Sequence, residues 1–129
     1  MRFADALAAP GFGAIAEFKR RSPSAGDLRP DGDVRAVARA YEAAGARAMS
    51  VLVDERFAGS WDDLRAARAA TSLPLIAKGF FSTAEHLRTA AEAGADATPG
   101  EMVARLAALP SIASSSPHAA HGSLATGAV

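Results

Sequence analysis

The 129-residue chain contains no cysteine, which excludes disulfides and thiolate-ligated metal sites and makes a reducing, cytoplasmic compartment the expected one. It has no excess of either charge, since fourteen basic residues balance fourteen acidic ones. Nothing in that balance points to nucleic acid or to an anionic membrane surface, whose recognition needs clustered Lys and Arg; the arginines here are scattered. No apolar run approaches the roughly 20 residues that a membrane-spanning helix requires. The N-terminal MRFADALAAPG, interrupted by Arg2 and Asp5, is too weakly apolar for a signal peptide; it reads as the last turns of a helix stopped at Pro10 and Gly11. Lysine is scarce: twelve of the fourteen basic residues are arginine, and only Lys19 and Lys78 are lysine. The two cations are chemically distinct, because an ammonium is a compact point charge whose proton affinity falls on desolvation, whereas a guanidinium stays charged and planar. With 50% hydrophobic and 22% charged residues, the composition is that of one soluble globular domain.

Along the chain, apolar runs alternate with helical periodicity. A first strand is expected over 14–18, followed by a long loop over 20–33 rich in Pro, Gly, Ser and Asp. Val34, Val37, Ala38 and Tyr41 recur at helical spacing, with Asp33 as N-cap and Gly45 as C-terminal stop. The segment RAMSVLV, 47–53, is too continuously apolar for a strand with one face in water. Ser60 and Asp63 have capping-box spacing before a helix to Ala70, although the strict form wants Glu or Gln third, so the acid is expected to act more through the helix dipole. A third strand is expected over 73–77. Ser82 and Glu85 form a proper capping box for a helix running to Gly94, and 95–97 begins a fourth strand.

Strand and helix alternating at about 25 to 30 residues per unit, with strands covered on both faces, indicate a parallel sheet in a barrel or a doubly wound fold. No GxGxxG follows the first strand, which disfavours a dinucleotide site. Thr98-Pro99-Gly100 breaks the fourth strand early. A short helix is expected over 101–109 and a disordered, Ser/Ala/Gly/His-rich tail over 110–129.

Because side chains alternate along a strand, Ile15, Glu17 and Lys19 share one face, with the charged groups at the C-terminal end. Pro74, Ile76 and Lys78 repeat the arrangement. In parallel barrels the C-terminal strand ends carry the catalytic groups. The spacing is met equally by a solvated rim in which Glu17 pairs with Lys19 and Lys78 marks where a strand leaves the interior.

Four segments carry a resemblance: IAEFKRRSPSAGDLRP at 15–30, AYEAAGARAMSVLVDERFAGSWDDLRAAR at 40–68, LPLIAKGFF at 73–81 and AAEAGADA at 90–97. Through them the chain resembles the indole-3-glycerol phosphate synthase family of tryptophan biosynthesis. The resemblance implies a partial TIM (β/α)8 barrel, about three βα units plus a broken fourth strand over 1–97, with a helical N-terminal extension of which 1–9 is a remnant. It implies a carboxy-lyase that closes the ring of 1-(2-carboxyphenylamino)-1-deoxyribulose 5-phosphate with loss of carbon dioxide and water, with no cofactor and no metal. By position, Lys78 is the general acid at the ribulose carbonyl, Lys19 holds the substrate anion and assists proton transfer, and Glu17 orients the lysines and the substrate. Phe57 packs on the anthranilate ring, Ser22 supplies a loop hydroxyl, and Phe80 belongs to the substrate-binding set.

There are departures from the family pattern. The family's usual Lys-Asp-Phe is here Lys78-Gly79-Phe80, and the second catalytic glutamate, an asparagine and the phosphate loops cannot be placed; the chain has no Asn or Gln at all. Two alternatives therefore stand beside the enzyme: a non-catalytic truncated or frameshifted half barrel, and a different phosphosugar-binding barrel, against which KRRSPS argues. The expected partner is the small phosphosugar anthranilate substrate, with no nucleic acid and no membrane. Open sheet edges are expected to invite self-association or a complementing half-barrel chain. Weaker signals are His118 and His121, three apart without a third metal ligand, and His86 on the third helix as a surface or half-buried residue. Arg20 and Arg21 are expected as solvated loop arginines or as a draw for phosphate, and Trp61 as packing.

Overall fold

The computed structural model describes residues 2–100; the helix expected over 101–109, the tail, and His118 and His121 lie outside them. Helix α1 (Arg2–Ala8) precedes strand β1 (Ile15–Phe18). The long loop folds into a two-residue-per-strand hairpin, β2 (Arg21–Ser22) and β3 (Gly26–Asp27). Helix α2 (Val34–Ala43), strand β4 (Ala48–Leu52), a 3-10 turn (Glu55–Phe57), helix α3 (Trp61–Ala70), strand β5 (Leu75–Lys78) and helix α4 (Ala84–Glu92) follow. The main sheet is wholly parallel in the order β1-β4-β5. Beyond β5, Ala97 forms a parallel bridge with Ile76, so the start of a fourth strand lies where the sequence puts it. The α/β alternation and the partial barrel are as the sequence predicts.

The central strand β4 is buried from both sides, all five of its residues being buried, which explains its unbroken apolar character. Met49, Val51, Leu75, Ala77 and Phe18 point into a core shared with Val34 and Ala38 of α2, Leu64 and Ala67 of α3, and Ala90 of α4. On the opposite face Ala48, Ile76 and Ala97 pack around Phe3 of α1, which is 1% exposed. Helix α1 thus floors the N-terminal end of that inner face. Arg47 holds it there, donating to the carbonyls of Ala9 and Pro10 at 2.6 and 2.5 Å.

Local signals set most boundaries. Asp33 caps α2 by accepting from the Arg35 amide at 3.0 Å, and Gly45 terminates it at φ +83°. The Ser60–Asp63 capping box is complete: the Ser60 hydroxyl accepts from the Asp63 amide and the Asp63 carboxylate from the Ser60 amide, each at 3.2 Å. Aspartate therefore closes the box directly, which corrects the dipole reading; it is held in reach because Arg20 grips the same carboxylate. The cap of α4 is also corrected. Thr83, not Ser82, accepts from the His86 amide at 3.2 Å, while the Ser82 amide donates to Nδ1 of His86 at 3.2 Å. Two adjacent hydroxyls are indistinguishable by spacing; the ring of His86, half-buried beside Phe81, decides between them.

Candidate active site

Parallel strands bring their C-terminal ends to one edge, and the register decides which side chains meet there. Glu17 of β1 lies beside Ser50 of β4, and Leu52 of β4 beside Lys78 of β5. All four stand on the inner face, above the floor made by Phe3, Ala48 and Ile76. Nζ of Lys78 donates to Oε2 of Glu17 at 2.9 Å, and Nζ of Lys19 is 3.8 Å from Oε1. The Ser50 hydroxyl donates to Oε2 at 3.2 Å. The three charged residues singled out in the sequence therefore meet at a single carboxylate, although they are 61 positions apart at the extremes.

The cluster sits at a solvent-facing mouth: side-chain exposure is 51% for Lys78, 32% for Glu17 and 31% for Lys19. Ion pairs this open contribute about 0–1 kcal/mol, so stability alone is a weak reason for two lysines to share one glutamate. One carboxylate between two ammonium groups leaves a net positive charge at the mouth, suited to an anionic ligand and to proton donation toward a carbonyl. The Tyr41 hydroxyl anchors the strand end from behind by donating to the Glu17 carbonyl at 2.7 Å.

Phe57 and Phe80 stack on each other, centroids 6.1 Å apart and planes 14° apart. The Arg56 guanidinium covers the Phe80 ring at 3.9 Å, and the Phe80 amide donates to Asp54 at 3.3 Å. The aromatic residues expected at the site are thus held together by the loops after β4 and β5. A Cβ at Gly79 would stand 3.3 Å from Cβ of Asp54, so a larger residue at the Lys78-Gly79-Phe80 position would crowd Asp54, which supplies the carboxylate beside that loop. Ser22 lies on the hairpin and its hydroxyl pairs with Ser24 at 3.0 Å; no hydrogen bond among the described residues joins it to the lysine cluster.

Arg20 departs from its expectation. It is neither a solvated arginine nor a free phosphate ligand: it grips both oxygens of Asp63 at 2.5 and 2.8 Å and donates to the carbonyls of Gly32 and Ala58. It also lies over the Phe18 ring at 4.9 Å. The hydrogen bond to Asp63 raises its pKa further despite desolvation. Arg21 donates to the Glu55 carbonyl at 2.8 Å, and Trp61 packs on Phe81 at 5.7 Å. Among residues not singled out from sequence, Ser50 had a signal, being a lone hydroxyl in an apolar strand. Arg56 over Phe80 had none, because the contact joins two loops distant in sequence. Among the described residues no group of three His, Asp or Glu could hold a metal ion, and no helix is long and apolar enough to cross a membrane.

Comparison with known proteins adds an independent line. A family profile described as indole-3-glycerol phosphate synthase matches residues 1–99. The chain is 53% identical over 92 residues to the indole-3-glycerol phosphate synthase of Mycobacterium ulcerans (strain Agy99) and 52% identical to that of Mycobacterium avium (strain 104). Each match covers 70% of this chain and 34% of the relative, so the chain spans about a third of the length of those relatives. A crystal structure of mandelate oxidase with 3,3-difluoro-2-hydroxy-3-phenylpropionic acid superposes at TM-score 0.50 and 22% identity, covering 74% of this chain and 34% of that one; this likeness shows the fold alone.

Proposed function

Because the chain belongs to the indole-3-glycerol phosphate synthase family, we propose that Glu17, Lys19 and Lys78 serve the decarboxylating ring closure of 1-(2-carboxyphenylamino)-1-deoxyribulose 5-phosphate. The supporting observation is the convergence of both lysines on one carboxylate at the outgoing edge of the sheet. Lys78 donates a proton to the ribulose carbonyl oxygen as the aromatic carbon bonds to the carbonyl carbon, so that the developing negative charge is met by an ammonium. Lys19 holds the substrate anion and assists proton transfer, and Glu17 orients both lysines and the substrate. Phe57 and Phe80 offer a stacked face for the anthranilate ring, and the Ser22 hydroxyl is a loop donor to the substrate. Carbon dioxide leaves from the ring carbon that attacks, which restores aromaticity, and water leaves from the former carbonyl carbon.

The test is formation of indole-3-glycerol phosphate by the purified full chain. Turnover that falls about 10²–10⁴-fold in Lys78→Ala, the worth of a positioned general acid, supports the reading. No product from the unmodified chain, and no rescue of a tryptophan auxotroph, rejects it for this chain. A second reading, a chain without catalysis of its own, expects that negative outcome.

A further inference from the structure

Ser50 is the one serine in the run AMSVL of β4, and it is 4% exposed. A hydroxyl there is a poor choice for stability, because an alanine at a buried strand position has no polar group to desolvate. Its inner-face neighbours on the same strand, Ala48 and Leu52, are apolar. What distinguishes position 50 is its register partner, Glu17, to whose Oε2 it donates at 3.2 Å.

The other partners of that carboxylate are the ends of long, half-open lysine side chains: Lys78 donates to it and Lys19 pairs with it by charge at 3.8 Å. The terminal torsion of a glutamate is broad and roughly two-fold, so two mobile ammonium groups alone do not decide which oxygen faces which lysine. Ser50 differs, being short and seated on a strand hydrogen-bonded on both sides. We propose that Ser50 is a positioning residue that fixes the Glu17 carboxylate so that Oε2 serves Lys78 and Oε1 is left for Lys19. This rests on the reading of Glu17, Lys19 and Lys78 as the reactive cluster.

The scarcity of lysine makes the proposal measurable without turnover. Reductive [13C]methylation of the full chain labels two lysines and the terminal amine, and dimethylation keeps both the charge and an N–H donor. Lys19→Arg and Lys78→Arg assign the signals, and Glu17→Gln shows that they report the carboxylate. The expected result is two separated lysine signals in the unmodified chain, which move toward each other by more than half that separation in Ser50→Ala. Ser50→Cys, which keeps the shape but donates weakly, behaves like alanine, and Ser50→Thr restores the separation. Coincident signals in the unmodified chain, signals unmoved in both Ser50→Ala and Ser50→Cys, or no restoration by threonine overturns the proposal. A chain that makes no indole-3-glycerol phosphate yet shows the Ser50-dependent separation refutes the catalytic reading and leaves the positioning role standing. Turnover with signals indifferent to Ser50 does the reverse.

Discussion

Asp63 shows how much one side chain can be asked to do. Its carboxylate closes the cap of α3 onto Ser60 and receives both arms of Arg20, at side-chain exposures of 11% for Asp63 and 18% for Arg20. Removing one partner of so enclosed a pair strands the other, at a cost of about 3–5 kcal/mol. Asp63→Ala is expected to lower unfolding stability by about 3 kcal/mol in urea, and Arg20→Lys to lose part of it, since an ammonium cannot reproduce the fork. A change below about 0.5 kcal/mol in Asp63→Ala would show the clamp to be idle. Because Arg20 directly follows Lys19, the same variants are expected to loosen the β1 loop. The capping partner was legible from its three-residue spacing; the arginine, 43 positions away, was not.

Glu42 allows a prediction with a definite sign. It accepts from the Ser72 hydroxyl and amide and from the Thr71 hydroxyl at 2.9 Å, tying α2 to the end of α3. The Ser72 hydroxyl, then that of Thr71, holds its pKa below the ordinary glutamate value, outweighing desolvation. A carboxyl depressed by folding adds stability that is complete above its unfolded value, about 4.3, and is lost as pH falls through the lower folded value. Thermal midpoints of the unmodified chain and Glu42→Gln should therefore differ near neutral pH and converge on acidification below that range. A constant difference across that titration would refute the linkage.

At the scale of elements, α1 and the turn after β4 carry the clearest consequences. Phe3→Ala removes the buried floor of the inner face and is expected to cost about 3–5 kcal/mol, read as an earlier unfolding midpoint with loss of the α1 helical signal; an unchanged midpoint would mean that α1 does not dock. A Cβ at Gly59 would fall 1.9 Å from the Leu52 carbonyl oxygen, so Gly59→Ala forces the chain after the 3-10 turn away from β4. That variant is expected to destabilise by more than about 1 kcal/mol and to disturb the Phe57–Phe80 stack, visible in aromatic chemical shifts. Strand and helix were legible in sequence because periods of 2.0 and 3.6 are local. The hairpin within the long loop was not, because Arg21–Ser22 and Gly26–Asp27 are too short to show a period.

At the scale of the whole molecule, the sheet has an edge to account for. Among the described residues β1 pairs with β4 alone, and Ile15 on that strand is 44% exposed. Unpaired, apolar strand edges recruit further strands, so light scattering after size exclusion should give a mass that rises above the monomer with concentration; a monomer throughout would mean that the edge is covered. The sequence by itself determined the order of strands and helices, the inner-face parity of Glu17, Lys19 and Lys78, and the family, because hydrophobic period, caps and motif spacing are properties of neighbouring residues. Only the tertiary structure decided that those three groups meet at one carboxylate, that Ser50 donates to it and Tyr41 to the Glu17 backbone carbonyl, and that Arg20 is a clamp. Such contacts depend on strand register and loop docking, which no local pattern encodes.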